Sequence, residues 1–113
     1  MLDSLSKKEL RELFLTGKKQ RNKLFTILYK NKPESSFKFN VVVSGKSKAH
    51  ERNEIKIKIR NIIRENKKKT RKGNQLIIKV SKEILKYKYR EINLIIMENL
   101  KIAGIIWKTL KYF

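Results

Sequence analysis

The sequence predicts an α+β sandwich, a small sheet covered by helices. Three observations carry that prediction. Apolar residues recur at helical spacing in three separate segments, and runs of aromatic and β-branched residues lie between them. The order reads α, β, β, α, β, α, with room for one further short strand, and contains no internal repeat. The chain has 113 residues, of which 40 % are hydrophobic, so residues 1–113 are expected to form one domain around one modest core.

The first helix is read in SKKELRELFLTGKK. Ser6 and Glu9 have capping-box spacing, Leu10, Leu13 and Phe14 fall on one side, and Gly17 is placed to end it. Phe14 suits core packing, with a ligand-facing role as the other reading. KLFTILYK and FKFNVVVS follow as strands, joined by a turn containing Pro33. In the second strand Phe37, Phe39, Val41 and Val43 share one face and Lys38, Asn40, Val42 and Ser44 the other, as in a sheet covered on one side and partly open on the other.

The stretch RNEIKIKIRNIIRE is the ambiguous one. Its middle, EIKIKIR, alternates and so reads locally as a strand. The longer window favours a helix over residues 49–68. With Ile55 at zero and about 100° per residue, Ile59 and Ile62 fall within about 40° and Ile63 within about 80°. Arg52, Lys56, Arg60 and Arg64 then step along a neighbouring face, Asn53 and Lys67 join it, and Ile57 falls on the far side among the charges. KKKTRKG is too charged to extend a core-facing element. LIIKV, after Gly73-Asn74, is a strand, and a C-terminal helix follows with Ile92, Ile95, Ile96 and Leu100 in phase and a break at Gly104. The tail with Trp107, Tyr112 and Phe113 has no assigned element.

Thirty Lys and Arg oppose ten Asp and Glu, a formal charge of +20. Self-repulsion on that scale calls for an anionic partner, and nucleic acid leads because its phosphates release counterions as cations approach. An anionic membrane is the second candidate. Four like charges at i,i+4 spacing cost helix stability, a cost that a phosphate backbone converts into binding. Asn53 offers a donor and an acceptor beside them, or caps the nearby backbone. With no cysteine and one histidine, His50, disulfides, thiol chemistry and Cys-based zinc sites are excluded. Asp3, Glu9 and Glu12 could gather near the first helix, but capping and local charge balance account for them better than a two-metal nuclease site. The charged N-terminus lacks a signal core and no run reaches membrane-span length, so a cytoplasmic protein without stable membrane association is expected.

The pattern R-N-x-x-K-x-x-x-R-x-x-x-R at Arg52, Asn53, Lys56, Arg60 and Arg64 resembles the signature helix of the bacterial ribonuclease P protein component, and Ala49 stands where that family carries an alanine. Leu10, Phe14 and Gly17 fall on the family's two aromatics and glycine of the first helix, with Leu10 replacing an aromatic, and Phe25 falls in the following strand. The resemblance runs from about residue 5 to residue 103. The chain departs from it at Ser44, Gly45 and Ser47 ahead of the helix and at Glu54, Ile57 and Asn61 within it.

The resemblance implies a ribosomal-protein-like fold with a left-handed βαβ crossover. It implies a protein subunit of a ribonucleoprotein that removes the 5′ leader of precursor tRNA, with no catalytic residue and no metal held by the protein. The catalytic RNA would carry the hydrolysis and use Mg²⁺. RNA contact is then expected at Arg52, Asn53, Lys56, Arg60, Arg64 and Lys67. A leader-binding cleft between the first helix and the open sheet face is expected at Leu10, Phe14 and Phe25. The alternatives are a general structured-RNA or ribosome-associated protein, a membrane-active basic amphipathic protein, and, more remotely, an autonomous nuclease.

Overall fold

A computed structural model describes residues 4–22, 24–70 and 73–105. Helix α1 (Lys7–Thr16) is followed by β1 (Lys18–Arg21), β2 (Phe25–Asn31), β3 (Lys38–Val43), α2 (Ala49–Glu65), β4 (Asn74–Val80) and α3 (Tyr89–Ile102). Short 3₁₀ turns at Lys67–Lys69 and Lys82–Lys86 flank β4. The predicted capping box is present: Ser6 Oγ accepts from the Glu9 N–H at 3.2 Å, and Glu9 Oε1 accepts from the Ser6 N–H at 2.8 Å. Gly17 ends α1 in extended rather than left-handed backbone, and a side chain there would start 2.6 Å from the Leu13 carbonyl oxygen.

The sheet order is β1-β2-β4-β3. The two strands read as neighbours across the Pro33 turn are therefore not paired: β4 lies between them, antiparallel to β2 and parallel to β3. The reason is burial. Leu76, Ile78 and Val80 of β4 are buried on one face and Ile77 on the other, and a strand apolar on both faces belongs at the centre of the sheet. The segment after β2 docks on the start of β4 instead, where the Lys32 N–H donates to the Gly73 carbonyl at 2.7 Å. Gly73 has φ +86°, and a Cβ there would meet the Lys32 carbonyl oxygen at 2.4 Å, so only glycine fits. β1 is the extra strand, an edge held by backbone pairing to β2.

Helices cover both faces. On one side α2 and α3 bury Ile55, Ile59, Ile62, Ile63, Ile92, Ile96 and Leu100 against Phe25, Ile27, Phe39, Val41 and the outer residues of β4. On the other, α1 buries Leu5 and Leu13 on Leu28 and Ile77, with Leu10 and Val42 at the margin. The alternation read in β3 is observed, but its second face is partly roofed by α1, and the Asn40 side chain accepts from the Leu5 N–H at 2.8 Å. α3 ends at Ala103–Gly104, as its glycine predicted. Asp3, Trp107, Tyr112 and Phe113 lie outside the described residues.

Candidate nucleic-acid interface

The first surface is the outer side of α2. Its 17 residues form one helix, so the strand reading of EIKIKIR falls. Four isoleucines hold it to the sheet, as the helical phase predicted, and Ile57 stands 57 % exposed on the opposite side. Arg52, Asn53, Arg64 and Lys67 are exposed and Lys56 and Arg60 half-buried along their stems. The structure thus brings the predicted basic residues together on one helix and its continuation. Asn53 lies beyond the capping turn, which is satisfied by Glu51 accepting the Lys48 N–H at 2.8 Å, so its capping reading falls too.

The carboxylates of α2 are engaged elsewhere. The Lys48 N–H holds the Glu51 carboxyl below its ordinary range. Glu54 pairs with Lys58 at 3.1 Å. Glu65 accepts from the Tyr89 hydroxyl of α3 at 2.7 Å, and burial, then that hydrogen bond, pushes the Tyr89 phenol up to about 12. By the helix repeat these acids occupy the flank towards α3, opposite the stripe. Among the described residues Arg52, Lys56 and Arg60 have no carboxylate partner. An unneutralised row of cations on a rigid helix can take phosphate without first breaking internal ion pairs.

The second surface lies beside α1 on the other face of the sheet. One side of α1 is tied down by charge. Glu9 takes Lys38 Nζ at 3.3 Å and Gln75 Nε2 at 2.9 Å, and Glu12 takes Lys32 Nζ at 3.1 Å. The Ser6 N–H, then Lys38, lower the Glu9 carboxyl; Lys32 lowers that of Glu12. These carboxylates are occupied by capping and lysine pairing, a donor set that does not fit a protein-held divalent cation. Leu10 and Phe14 lie on the opposite flank by the helix repeat, facing the uncovered end of the sheet. Leu10 is half-buried at the edge of the smaller core, and Phe14 is 53 % exposed, so the core-packing reading of Phe14 fails. Leu13 alone supplies the fully buried anchor of α1, which frees its neighbour's ring.

Phe25 does not join them. It is 4 % exposed and belongs to the core under α2 and α3, on the face of the sheet away from α1. Strand alternation explains the correction: in β2, Phe25 and Ile27 point to one face and Thr26 and Leu28 to the other. What the uncovered end of the cleft presents is a row that register creates. Arg21, Thr26, Lys79 and Val42 are successive partners across β1, β2, β4 and β3. Neither Arg21 nor Lys79 has a carboxylate partner among the described residues. The lysine that interrupts the otherwise apolar run LIIKV was the available signal for Lys79; Arg21 and Thr26 carried none.

Among the described residues no helix is long and apolar enough to cross a membrane. No curated protein matches the chain by sequence. Solved structures do match in fold. The ribonuclease P protein of Staphylococcus aureus is 21 % identical, with 95 % of this chain and 99 % of that chain covered and a TM-score of 0.81. A mutant of the S. aureus protein with defective mRNA degradation activity is 22 % identical, with 92 % and 90 % covered and a TM-score of 0.82. The ribonuclease P protein of Thermotoga maritima is 24 % identical, with 88 % and 93 % covered and a TM-score of 0.74. The family model of ribonuclease P matches residues 4–103. With its basic helix, its α1 cleft and its four-stranded sheet in that arrangement, the chain belongs to the ribonuclease P protein family, the protein side of an RNA-processing ribonucleoprotein.

Proposed function

We propose that this chain assists 5′ maturation of precursor tRNA by gripping two RNAs at once. The outer face of α2, through Arg52, Asn53, Lys56, Arg60, Arg64 and Lys67, binds the catalytic RNA. The cleft beside α1 binds the single-stranded 5′ leader. The observation that carries this reading is the separation of the two surfaces: α2 and α1 lie on opposite faces of one rigid sheet. A protein so built can rest on one RNA while holding a second.

The chemistry follows from the side chains. Guanidinium and ammonium groups on α2 neutralise phosphate and let RNA strands approach closely. In the cleft, the Phe14 ring offers a face on which a base can stack without sequence preference, while Leu10 gives apolar contact where an aromatic would give more. The carboxylates beside the cleft are held by lysines, so hydrolysis and its Mg²⁺ are assigned to the RNA subunit, and the protein's share is binding and orientation. The reading places the protein in the cytoplasm with its RNA partners. Reconstitution with a bacterial ribonuclease P RNA at low Mg²⁺ tests it. The protein should stimulate leader cleavage; no stimulation would return the chain to the general RNA-binding reading, and cleavage without any RNA subunit would make it a nuclease in its own right.

A further inference from the structure

A small cavity of about 250 Å³ opens at the uncovered end of the sheet, walled by Asn22, Thr26, Ser44, Lys79 and Ser81 among others. Asn22 is fixed there from three sides. Its Oδ1 accepts from the Leu24 N–H at 2.7 Å and the Phe25 N–H at 2.9 Å, and its own N–H donates to the Phe25 carbonyl at 3.0 Å. Those two acceptor bonds set the orientation of the amide, because a flipped amide would point N–H at N–H. The Nδ2 group is consequently a buried donor with no acceptor. A buried donor without a partner costs about 1–3 kcal/mol, so it calls for an explanation. Lys79 lines the same cavity without a carboxylate partner, and the Thr26 and Ser81 side chains have no hydrogen-bond partner among the described residues. Every unsatisfied group there is a donor or can act as one, and the missing component is a compact acceptor with several oxygens.

We propose that Asn22, Thr26, Lys79 and Ser81 form a seat for one backbone phosphate of a single-stranded RNA lying in the cleft. The seat rests on the leader-binding reading above and adds a fixed point to it. Phe14 offers a sequence-tolerant surface for a base, whereas the seat sets where along the strand the backbone is pinned. Asn22 supplies a rigid neutral donor, Lys79 the charge, and the hydroxyls the remaining hydrogen bonds. A larger cavity, about 650 Å³, lies at the other end of these strands, but its Asn31 and Asn74 amides are bonded to each other at 3.2 Å and show no such vacancy.

The test is the affinity of the full chain for a short unstructured RNA oligonucleotide at several salt concentrations. Wild type is compared with Lys79→Gln and Asn22→Asp. The aspartate keeps the two accepted backbone bonds and the turn, and replaces only the orphan donor with an oxygen that repels phosphate. Circular dichroism melts check that each variant folds. Lys79→Gln should weaken binding about fivefold and flatten the log–log salt slope by about 0.7, the loss of one single-strand phosphate contact. Asn22→Asp should weaken it about tenfold through like-charge repulsion. Inorganic phosphate should compete only at concentrations far above those of the oligonucleotide. Unchanged affinity and slope in both folded variants would overturn the seat and leave the leader reading standing. Failure of the wild type to bind the oligonucleotide would overturn the leader reading and the seat with it. Competition by phosphate as tight as by RNA would make this a free-anion site and overturn its assignment to the strand.

Discussion

Helices α1 and α2 lie on opposite faces of the same sheet and spend their charges in opposite ways. On α1 the carboxylates Glu9 and Glu12 are bound to lysines of the sheet and the following turn, so charge fastens the helix to the fold. On α2 four buried isoleucines do the fastening, the acids turn to capping, Lys58 and Tyr89, and the cations of the outer flank are left to a ligand. The comparison teaches that in a chain of net charge +20 the location of the few carboxylates is the informative variable. Where they pair with lysine they mark structure; where they are turned away from a cationic row they mark a binding surface.

The largest expected effect is on the anchoring of α1. Leu13 is its one fully buried side chain, so Leu13→Ala should cost about 2–5 kcal/mol in urea or thermal unfolding. The matching change on the outside of α2, Ile57→Ala, should stay within about 0.5 kcal/mol, because that side chain is mostly in solvent. Equal losses at the two sites would break the contrast between a fastened face and a free one. Next comes Phe14→Ala. It should leave the melting temperature nearly unchanged and weaken binding of leader-bearing precursor tRNA by about 1–3 kcal/mol, with little effect on leaderless substrate. Equal losses on both substrates would place Phe14 outside the leader site.

Smaller still is Glu9→Gln, expected to cost about 1–2 kcal/mol because the carboxylate accepts from Ser6, Lys38 and Gln75 together. Its pH dependence has a definite sign. The folded protein lowers the Glu9 carboxyl below the ordinary 4.5, so its contribution is full above that value and disappears as pH falls through the lower folded value. The stability gap between wild type and Glu9→Gln should therefore close below pH about 4.5. A gap that is constant down to strongly acid pH would show that the charged form has no part in fastening α1.

Much of this was legible before any coordinates. The helix at Ala49–Glu65 could be read because a 17-residue window outweighs a seven-residue alternation, and the same phase picked out its four buried isoleucines and the exposed Ile57. Ser6 and Glu9 gave the start of α1 by spacing alone. The strand order was not legible, since the pairing of β3 with β4 is non-local and a turn-forming proline only suggests a hairpin. β1, sequence KKQR, carries no apolar pattern and is held by backbone bonds to β2. At the candidate site, the stripe on α2 depended on one helix and was read correctly as a set. The cleft depended on four strands, so Phe25 was assigned to the wrong face and the Arg21–Thr26–Lys79 row, a product of register, went unseen. Local periodicity survives in a sequence; cross-strand neighbourhoods do not.

The claim on which the rest depends is that the outer face of α2 is the phosphate-binding surface for the catalytic RNA. The direct measurement is affinity for a bacterial ribonuclease P RNA as a function of salt, comparing wild type with Arg52→Gln/Lys56→Gln/Arg60→Gln. Each lost contact should flatten the log–log slope by about 0.9, so the triple variant should lose about 2–3 in slope and more than tenfold in affinity at physiological salt while melting like the wild type. A folded triple variant with an unchanged slope would show that these cations face water, and the contrast between the two helices would lose its functional meaning.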